Sequence, residues 1–125
     1  MVDPFMGLDF LAEAHRMLTA GGLLLLTVPT IEWGAPLRNR LGIDVMTTRF
    51  KLLGTEKTVV LPSLLHPRDR LEEMLRMTGF LDIRMTDGYL SDHDNVISPD
   101  IASVCEARQI RPTELPIIHL IRARR

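Results

Sequence analysis

The stretch from residue 3 to residue 30 constrains the fold most, because a helical pattern, two glycines and an apolar run follow one another directly. Asp3 is a suitable N-cap and Pro4 suits the first helical position, so we predict that a helix begins there. Its apolar stripe follows helical spacing and consists of Leu8, Leu11, His15 and Leu18. Gly21 and Gly22 are predicted to close this helix in the left-handed conformation that glycine tolerates.

The apolar run over residues 23–28 reads Leu-Leu-Leu-Leu-Thr-Val and is followed by Pro29. It is too short for a membrane span, and it lacks the polar alternation of a strand with one wet face. We therefore predict a strand that is covered on both faces, as in an α/β sheet.

Two blocks of the sequence carry a family resemblance. In the first, the turn Leu18-Thr19-Ala20-Gly21-Gly22 leads through the apolar strand to Val28-Pro29-Thr30. The second block, residues 65–85, reads LHPRDRLEEMLRMTGFLDIRM. Together they resemble the carboxyl-terminal half of class I S-adenosylmethionine-dependent methyltransferases, from the helix before the fifth strand to the sixth strand. Thr19 and Ala20 replace the Lys-Pro pair that is usual in that family.

The resemblance implies a partial Rossmann-like methyltransferase fold of the α/β class, with about three strands and flanking helices. The strand order would be fifth, seventh, sixth, and the last strand of the chain would be antiparallel between its neighbours. S-adenosylmethionine is the implied cofactor. However, Gly21 and Gly22 precede a strand, whereas a nucleotide-binding glycine loop follows one. We therefore assign no cofactor-binding residue and expect the cofactor-binding half to be absent from this chain.

Composition predicts one globular domain over residues 1–125, since 46% of the residues are hydrophobic and 25% are charged. The formal net charge of −1 gives no general attraction to nucleic acid or to an anionic membrane, so neither is an expected partner. Cys105 is the single cysteine and the acidic start lacks a secretion signal, which favours a cytoplasmic location. The basic end is predicted to be solvated and contains Arg122, Arg124 and Arg125.

Proline, glycine and alternating polarity mark the remaining elements. Residues 31–64 are predicted to form loops and short helices, as an irregular substrate-side insertion. A helix is predicted to begin at Pro67 and to end at Gly79, and its inward side carries Leu71, Met74 and Leu75. The strand after it has a drier face with Leu81, Ile83 and Met85. A helix capped by Ser98 and a last strand over 115–121 complete the chain.

The loop after the first strand holds the best candidates for substrate contact, because the corresponding loop borders the acceptor pocket in the family that the chain resembles. These candidates are Thr30, Glu32 and Trp33. Trp33 offers a flat apolar wall and Glu32 can orient or deprotonate an acceptor; alternatively, Trp33 anchors the loop and Glu32 is solvated. His66 is a further candidate, either as a base or as a partial cap of the next helix.

For the remaining histidines and the cysteine, the sequence favours structural roles. His15 lies on the apolar stripe and His119 in a predicted strand. His93 belongs to a polar cluster over residues 91–95, but consecutive positions cannot all point at one ion, so we predict a polar turn and no metal site. Cys105 follows Val104 and is predicted to be a buried thiol and not a nucleophile.

Two functions remain open from the sequence. The first is methyl transfer to an unknown, small-molecule acceptor, in which positioning supplies most of the catalysis. The alternative is a non-catalytic interaction or regulatory module on a methyltransferase-like scaffold, and a truncated reading frame is a third possibility. The strand over 23–28 is expected to expose an edge, so the isolated chain is predicted to dimerise through it, to associate with a separate amino-terminal half, or to be poorly soluble.

Overall fold

A three-stranded sheet organises the chain, and this computed structural model describes residues 7–42, 44, 47–91 and 97–125. The helices are α1 (Leu8–Met17), α2 (Ile31–Arg40), α3 (Arg68–Met77) and α4 (Pro99–Arg108). The strands are β1 (Leu23–Pro29), β2 (Thr47–Lys51), β3 (Thr58–Pro62), β4 (Leu81–Gly88) and β5 (Ile118–Arg124). None of the helices in these ranges has the length and apolar character needed to cross a membrane.

The strand order of the main sheet is β1-β5-β4. β5 is antiparallel to both neighbours, so β1 and β4 run parallel to each other. His119 at the centre faces Val28 on one side and Asp87 on the other. The observed order and directions confirm the prediction that the last strand lies antiparallel between its neighbours. Within the described ranges, the other edge of β1 has no strand partner.

One face of this sheet, the covered face, includes Val28, His119, Ile121 and Ala123 and lies in the main core. The buried apolar residues of that core are Leu11, Val28, Leu71, Met74, Leu75, Phe80, Ile121 and Ala123. They come from α1, α3, the sheet and, with Phe80, the connection between α3 and β4, so two helices pack on the covered face. The predicted inward side of the helix over 67–79 is therefore confirmed.

The opposite face, the bare face, is open. It is formed by Leu23, Leu25, Thr27, Leu120, Arg122, Arg84 and Thr86. Leu25 is 70% exposed, whereas Val28 on the covered face is 4% exposed. The prediction that this apolar strand is covered on both faces is therefore wrong for this chain, because the main core forms on one face only.

A glycine cap ends α3 and sets the start of β4. Gly79 has a φ of +97°, its N–H donates to the carbonyl of Arg76, and the N–H of Phe80 donates to the carbonyl of Leu75. This pair of bonds is a Schellman motif. Gly79 lies against the ring of His15, which meets Phe80 edge-on at a centroid distance of 5.1 Å. The cap thus also joins α3 to α1.

The turn after α1 differs from the prediction. α1 ends at Met17, and the glycines instead shape the entry into β1. The N–H of Gly22 donates to the carbonyl of Thr19 at 2.8 Å, and Gly21 between them has a φ of +75°. Gly21 therefore adopts the expected left-handed conformation, but in a turn and not as the helix cap. The predicted cap by Asp3 and Pro4 lies outside the described residues.

The basic end of the chain was predicted to be solvated, but two of its arginines donate hydrogen bonds to backbone carbonyls. The guanidinium of Arg125 donates to the carbonyl of Leu18 and, at 3.3 Å, to that of Arg16. Arg124 donates to the carbonyl of Gly21 at 3.2 Å. A positive charge near the carboxyl end of a helix is favourable, because unpaired carbonyls concentrate there. These arginines therefore tie the end of β5 to the turn after α1.

The segment over 31–64 is more regular than predicted. It contains α2 and a hairpin in which β2 pairs antiparallel with β3, so that Thr47 faces Pro62 and Lys51 faces Thr58. Gly54 in the hairpin connection has a φ of +76°. The sequence pattern missed these strands because each is short, and short apolar stretches between glycines and prolines do not distinguish a strand from a loop.

β4 confirms one part of its prediction and corrects another. Ile83 and Met85 pack against the main core as predicted. Leu81 is 64% exposed and does not join them. The register of β4 against β5 shifts between Leu81 and Arg84, and Asp82 there has a φ of +50°. A bulge of this kind adds one residue to one strand, so the alternation of faces breaks at that point.

A second, smaller core lies between α2 and α4. Its buried residues are Val104, Cys105 and Leu115, with Trp33, Leu37, Ile101, Ile110 and Ile117 packed around them. Ser98 caps α4 by accepting a hydrogen bond from the N–H of Asp100, as predicted. Leu115 belongs to this core and not to the last strand, which begins at Ile118. Cys105 is buried, as predicted, and burial raises the pKa of its thiol.

Candidate functional site

The candidate site lies at the edge of the sheet where β1 and β4 end. Because these strands are parallel, their last residues, Pro29 and Gly88, come to the same edge, where both face Ile118 of β5. In open α/β sheets, ligands bind outside the carboxyl ends of the parallel strands. The side chains that follow these ends are therefore the first to consider.

Thr30 joins three parts of this edge. Its side chain is completely buried. Its Oγ1 donates to the carbonyl of Pro116 at 2.5 Å and accepts from the N–H of Trp33 at 3.2 Å, which makes Thr30 the N-cap of α2. Its own N–H donates to the carbonyl of Ile117 at 3.0 Å. Thr30 thereby sets the direction in which α2 leaves the sheet and links it to the segment before β5.

Glu32 and Trp33 occupy the first turn of α2, and both are partly buried. Trp33 packs against the second core, as in the interpretation that it anchors the loop. Glu32 Oε2 and Trp33 Nε1 are buried and have no hydrogen-bond partner among the described residues. Glu32 is thus not fully solvated. The first turn of α2 therefore holds a buried acceptor and a buried donor at consecutive positions. Leaving one such group without a hydrogen bond lowers the free energy of unfolding by about 1–3 kcal/mol.

His66 lies between β3 and α3 and is partly buried. The segment before it packs on α2. A Cβ built at Gly34 would lie only 2.8 Å from Leu65 Cδ1, so helix and segment are in close contact. Arg38 of α2 donates to the carbonyl of Ser63 at 2.6 Å and to its Oγ at 3.0 Å, and partial burial lowers the pKa of Arg38. The segment before His66 and the loop at Thr30 therefore both contact α2.

Sequence reasoning missed a polar cluster near the same edge. His119 is 1% exposed, and its Nδ1 lies 2.7 Å from Asp87 Oδ1. Arg68 Nη1, at the start of α3, lies 3.4 Å from the same Asp87 oxygen. His119 Nε2 is buried and has no partner in the described ranges. Three separate elements supply these side chains, so only the register of β4 against β5 and the docking of α3 reveal the cluster.

The cluster gives the imidazole of His119 a defined chemistry. When Nδ1 carries the proton and donates to Asp87, Nε2 is left with a lone pair that can accept a hydrogen bond. Arg68 balances the charge of Asp87. The contact with Asp87 fixes the imidazole in place, and Nε2 is the ring nitrogen without a partner in the described ranges.

The described structure adds no candidate metal ligand or cofactor-binding residue to those considered from the sequence. In the ranges given above, no group of three His, Cys, Asp or Glu side chains could hold a metal ion. His93 and the polar turn predicted around it lie outside the described residues. β1 enters α2 directly through Thr30, without a glycine loop, so this junction does not fit the methionine and ribose moieties of S-adenosylmethionine.

Comparison with solved structures found a similar fold. A SAM dependent methyltransferase from Archaeoglobus fulgidus is similar over 99% of this chain and 54% of its own, with a TM-score of 0.53 and 14% sequence identity. This chain has a methyltransferase-like fold. It spans about half the length of that methyltransferase, and at this identity the likeness concerns the fold alone. No protein-family model matches the sequence, and no curated protein matches it.

Proposed function

We propose that this chain is the carboxyl-terminal, substrate-side half of a class I S-adenosylmethionine-dependent methyltransferase and that a separate half binds most of the cofactor. The observation that carries the proposal is the strand order β1-β5-β4 with an antiparallel middle strand, in a chain that is similar to about half of a SAM-dependent methyltransferase. The resemblance of residues 18–30 and 65–85 to that family supports the same assignment.

The unpaired edge of β1 supports the need for a partner. Within the described ranges β1 pairs with β5 alone, so its other edge presents backbone N–H and C=O groups that can extend the sheet. In the proposal this edge pairs with a strand of the cofactor-binding half. Without that half, the same edge pairs with a second copy of the chain.

Acceptor binding is assigned to the loop after β1. Thr30 fixes the start of α2, Trp33 forms an apolar wall, and Glu32 orients a hydroxyl or amine of a small-molecule acceptor. His66 lies on the adjoining segment that packs on α2. Catalysis in this arrangement consists mainly of holding the acceptor atom in line with the methyl carbon.

Thermal unfolding with and without excess S-adenosylmethionine tests the proposal. The purified chain alone is expected to show no shift, whereas its complex with a polypeptide that carries the family's glycine-rich loop is expected to shift by several degrees. Ligand at about a hundred times its dissociation constant adds roughly 2.7 kcal/mol. A shift with the monomeric chain alone contradicts the need for a second half. No shift in either sample contradicts the methyltransferase assignment and favours the interaction module.

A matched pair of variants separates acceptor binding from cofactor binding. Glu32→Gln preserves the size of the side chain and is expected to reduce methyl transfer by the complex while the S-adenosylmethionine shift stays. Glu56→Gln in the hairpin connection removes the same charge from an exposed position and is expected to change neither quantity. Equal effects of the two variants contradict the assignment of Glu32 to the acceptor.

The second candidate function is a non-catalytic interaction module. The specific observation in its favour is the bare face, where Leu25 is 70% exposed. This function predicts that a partner binds without any requirement for S-adenosylmethionine.

A further inference from the structure

The β2–β3 hairpin contributes little to the packed interior of the chain. Within the described ranges, neither the main core nor the second core includes a residue from this hairpin. Thr58 and Val60 of β3 are exposed. The connection between the strands carries Leu52, which is 40% exposed, and Leu53, which is 100% exposed. The most exposed large apolar side chain among the described residues therefore lies at the tip of a hairpin.

The turn at this tip is held by the backbone and by two small residues. The N–H of Leu52 donates to the carbonyl of Lys57 at 3.0 Å, and the N–H of Thr55 donates to the carbonyl of Leu52 at 3.1 Å. The Thr55 hydroxyl donates to the same carbonyl at 3.0 Å and accepts from the N–H of Lys57 at 3.2 Å. Gly54 adopts the positive φ of +76°. The side chain of Leu53 takes no part in these bonds, so turn formation does not explain a leucine at this position.

The segment around the tip is basic, unlike the chain as a whole. Residues 38–62 contain five basic and two acidic residues, whereas the formal net charge of the whole chain is −1. Lys51 and Lys57 flank the tip and are exposed. Lys51 Nζ lies 2.8 Å from Glu56 Oε2, but both side chains are mostly exposed, so water weakens this pair. The expectation that an anionic membrane is no partner was based on the whole-chain charge, which does not describe this segment.

Two leucines between exposed lysines suit the surface of an anionic bilayer better than the surface of another protein. A stable protein–protein interface buries about 800 Å² on each partner, and the tip of a two-stranded hairpin is too small for that. A bilayer requires no complementary shape. Leucine side chains enter the boundary of the acyl region, while the ammonium groups of lysines stay among the anionic headgroups. Each lysine close to such a surface strengthens binding.

We propose that the β2–β3 hairpin docks the chain on an anionic lipid bilayer, with Leu52 and Leu53 at the acyl boundary and Lys51 and Lys57 among the headgroups. The leucines gain an apolar environment that the protein itself does not give them. The docking is independent of the proposed methyl transfer, because the hairpin contributes no residue to the candidate site.

Sedimentation of the full chain with vesicles of two compositions tests the proposal. One set is pure phosphatidylcholine, and in the other about 30% of the lipid is phosphatidylserine, which gives a negative surface potential. The chain is expected to bind the anionic vesicles about tenfold more tightly, and added salt is expected to reduce this preference. No binding to the anionic vesicles, or equal binding to both sets, overturns the proposal.

Matched variants locate the contact with lipid. Leu53→Ser is expected to weaken binding to the anionic vesicles about tenfold, whereas Leu25→Ser, at an exposed leucine of the bare face, is expected to leave it unchanged. Lys57→Glu is expected to reduce the preference for anionic lipid. Arg122→Glu makes the same change in net charge at an exposed position of the bare face and is expected to keep the preference. Loss of binding in the bare-face variants alone overturns the proposal.

A dye at the tip measures insertion directly, so the test does not depend on a loss of binding. An environment-sensitive dye on Leu53→Cys is expected to gain fluorescence when anionic vesicles are added, whereas the same dye on Leu25→Cys is expected to stay unchanged. Cys105 is buried, so the introduced thiol is labelled selectively. An unchanged signal at the tip overturns the proposal. A gain that follows protein concentration without lipid also overturns it and identifies a second copy as the occupant. All readings are made without S-adenosylmethionine, so a failure here leaves the proposed function untouched.

Discussion

The covered face and the bare face of the main sheet are built by the same three strands, yet their burial differs sharply. On β5, Ile121 is 3% exposed and its neighbour Leu120 is 42% exposed. On β1, Val28 is 4% exposed and Leu25 is 70% exposed. Leucine and other apolar residues occur on both faces, so residue type does not explain the difference. The covered face is buried because α1 and α3 pack on it.

The polar residues of the two faces also differ in their surroundings. His119 lies on the covered face, where its Nδ1 contacts Asp87 and Arg68 lies 3.4 Å from the same carboxylate oxygen. Arg84 and Arg122 stand opposed on the bare face, where water solvates them. Buried polar groups require partners, whereas exposed cations do not, so the charge pattern of the bare face is compatible with a later partner.

The largest effect is expected from truncating neighbouring residues on opposite faces of β5. Ile121→Ala should lower the free energy of unfolding by about 2–5 kcal/mol, because it leaves a cavity in the main core. Leu120→Ala, its matched control on the bare face, should cost less than about 1 kcal/mol. Urea unfolding followed by circular dichroism measures both. Similar losses for the two variants would contradict the distinction between the faces.

A smaller loss is expected when the polar partner on the covered face is removed. Asp87→Ala leaves His119 buried without its acceptor, which should cost about 1–3 kcal/mol. Asp87→Asn keeps an oxygen that can accept from Nδ1 and should retain part of that stability. The same urea titration compares them. If alanine is tolerated as well as asparagine, the His119 contact does not stabilise the covered face.

The next largest loss of unfolding free energy is expected at the glycine cap between α3 and β4. Gly79→Ala places a side chain at a φ of +97° and brings its Cβ to 3.1 Å from the His15 ring. The backbone strain alone should cost about 1–2 kcal/mol. Gly21→Ala, at a φ of +75° with no atom within 4 Å, carries the strain without the contact. The difference between their unfolding free energies measures the crowding against His15, and a larger loss at Gly21 would refute this account.

The smallest effect is expected on the bare face. Leu25→Thr keeps a residue that suits a strand, and because Leu25 is 70% exposed the unfolding free energy should change by no more than about 0.5 kcal/mol. Thermal unfolding at two protein concentrations provides the measurement. A loss comparable to that of Ile121→Ala, or one that grows with concentration, would show that another copy covers this face in solution.

Local patterns predicted much of the architecture. The stripe with Leu71, Met74 and Leu75, the cap at Gly79 and the cap at Ser98 were all readable, because helix periodicity and capping act within a few residues. The hairpin over 47–62 was not, since short strands depend on pairing with a distant partner. For the same reason the bulge at Asp82, which turns Leu81 outward, carries no local signal.

Part of the candidate site was also predicted from the sequence, and part was not. Thr30, Glu32 and Trp33 were predicted as site residues because the family resemblance places the acceptor pocket at the loop after the first strand, and Thr30 is the cap that starts α2. Substrate contact by these residues and by His66 stays a prediction. The cluster of Arg68, Asp87 and His119 could not be found, because its members are brought together only by the β4–β5 register and the position of α3.

The sequence alone determined where most helices and the apolar strand form, because periodicity, capping and glycine turns are local properties of the chain. The tertiary structure decided which side of each strand is buried. An apolar side chain leaves water only when another layer packs against it, and among the described residues α1 and α3 supply that layer on the covered face. The same packing set the register that pairs His119 with Asp87 and left Arg84 opposite Arg122.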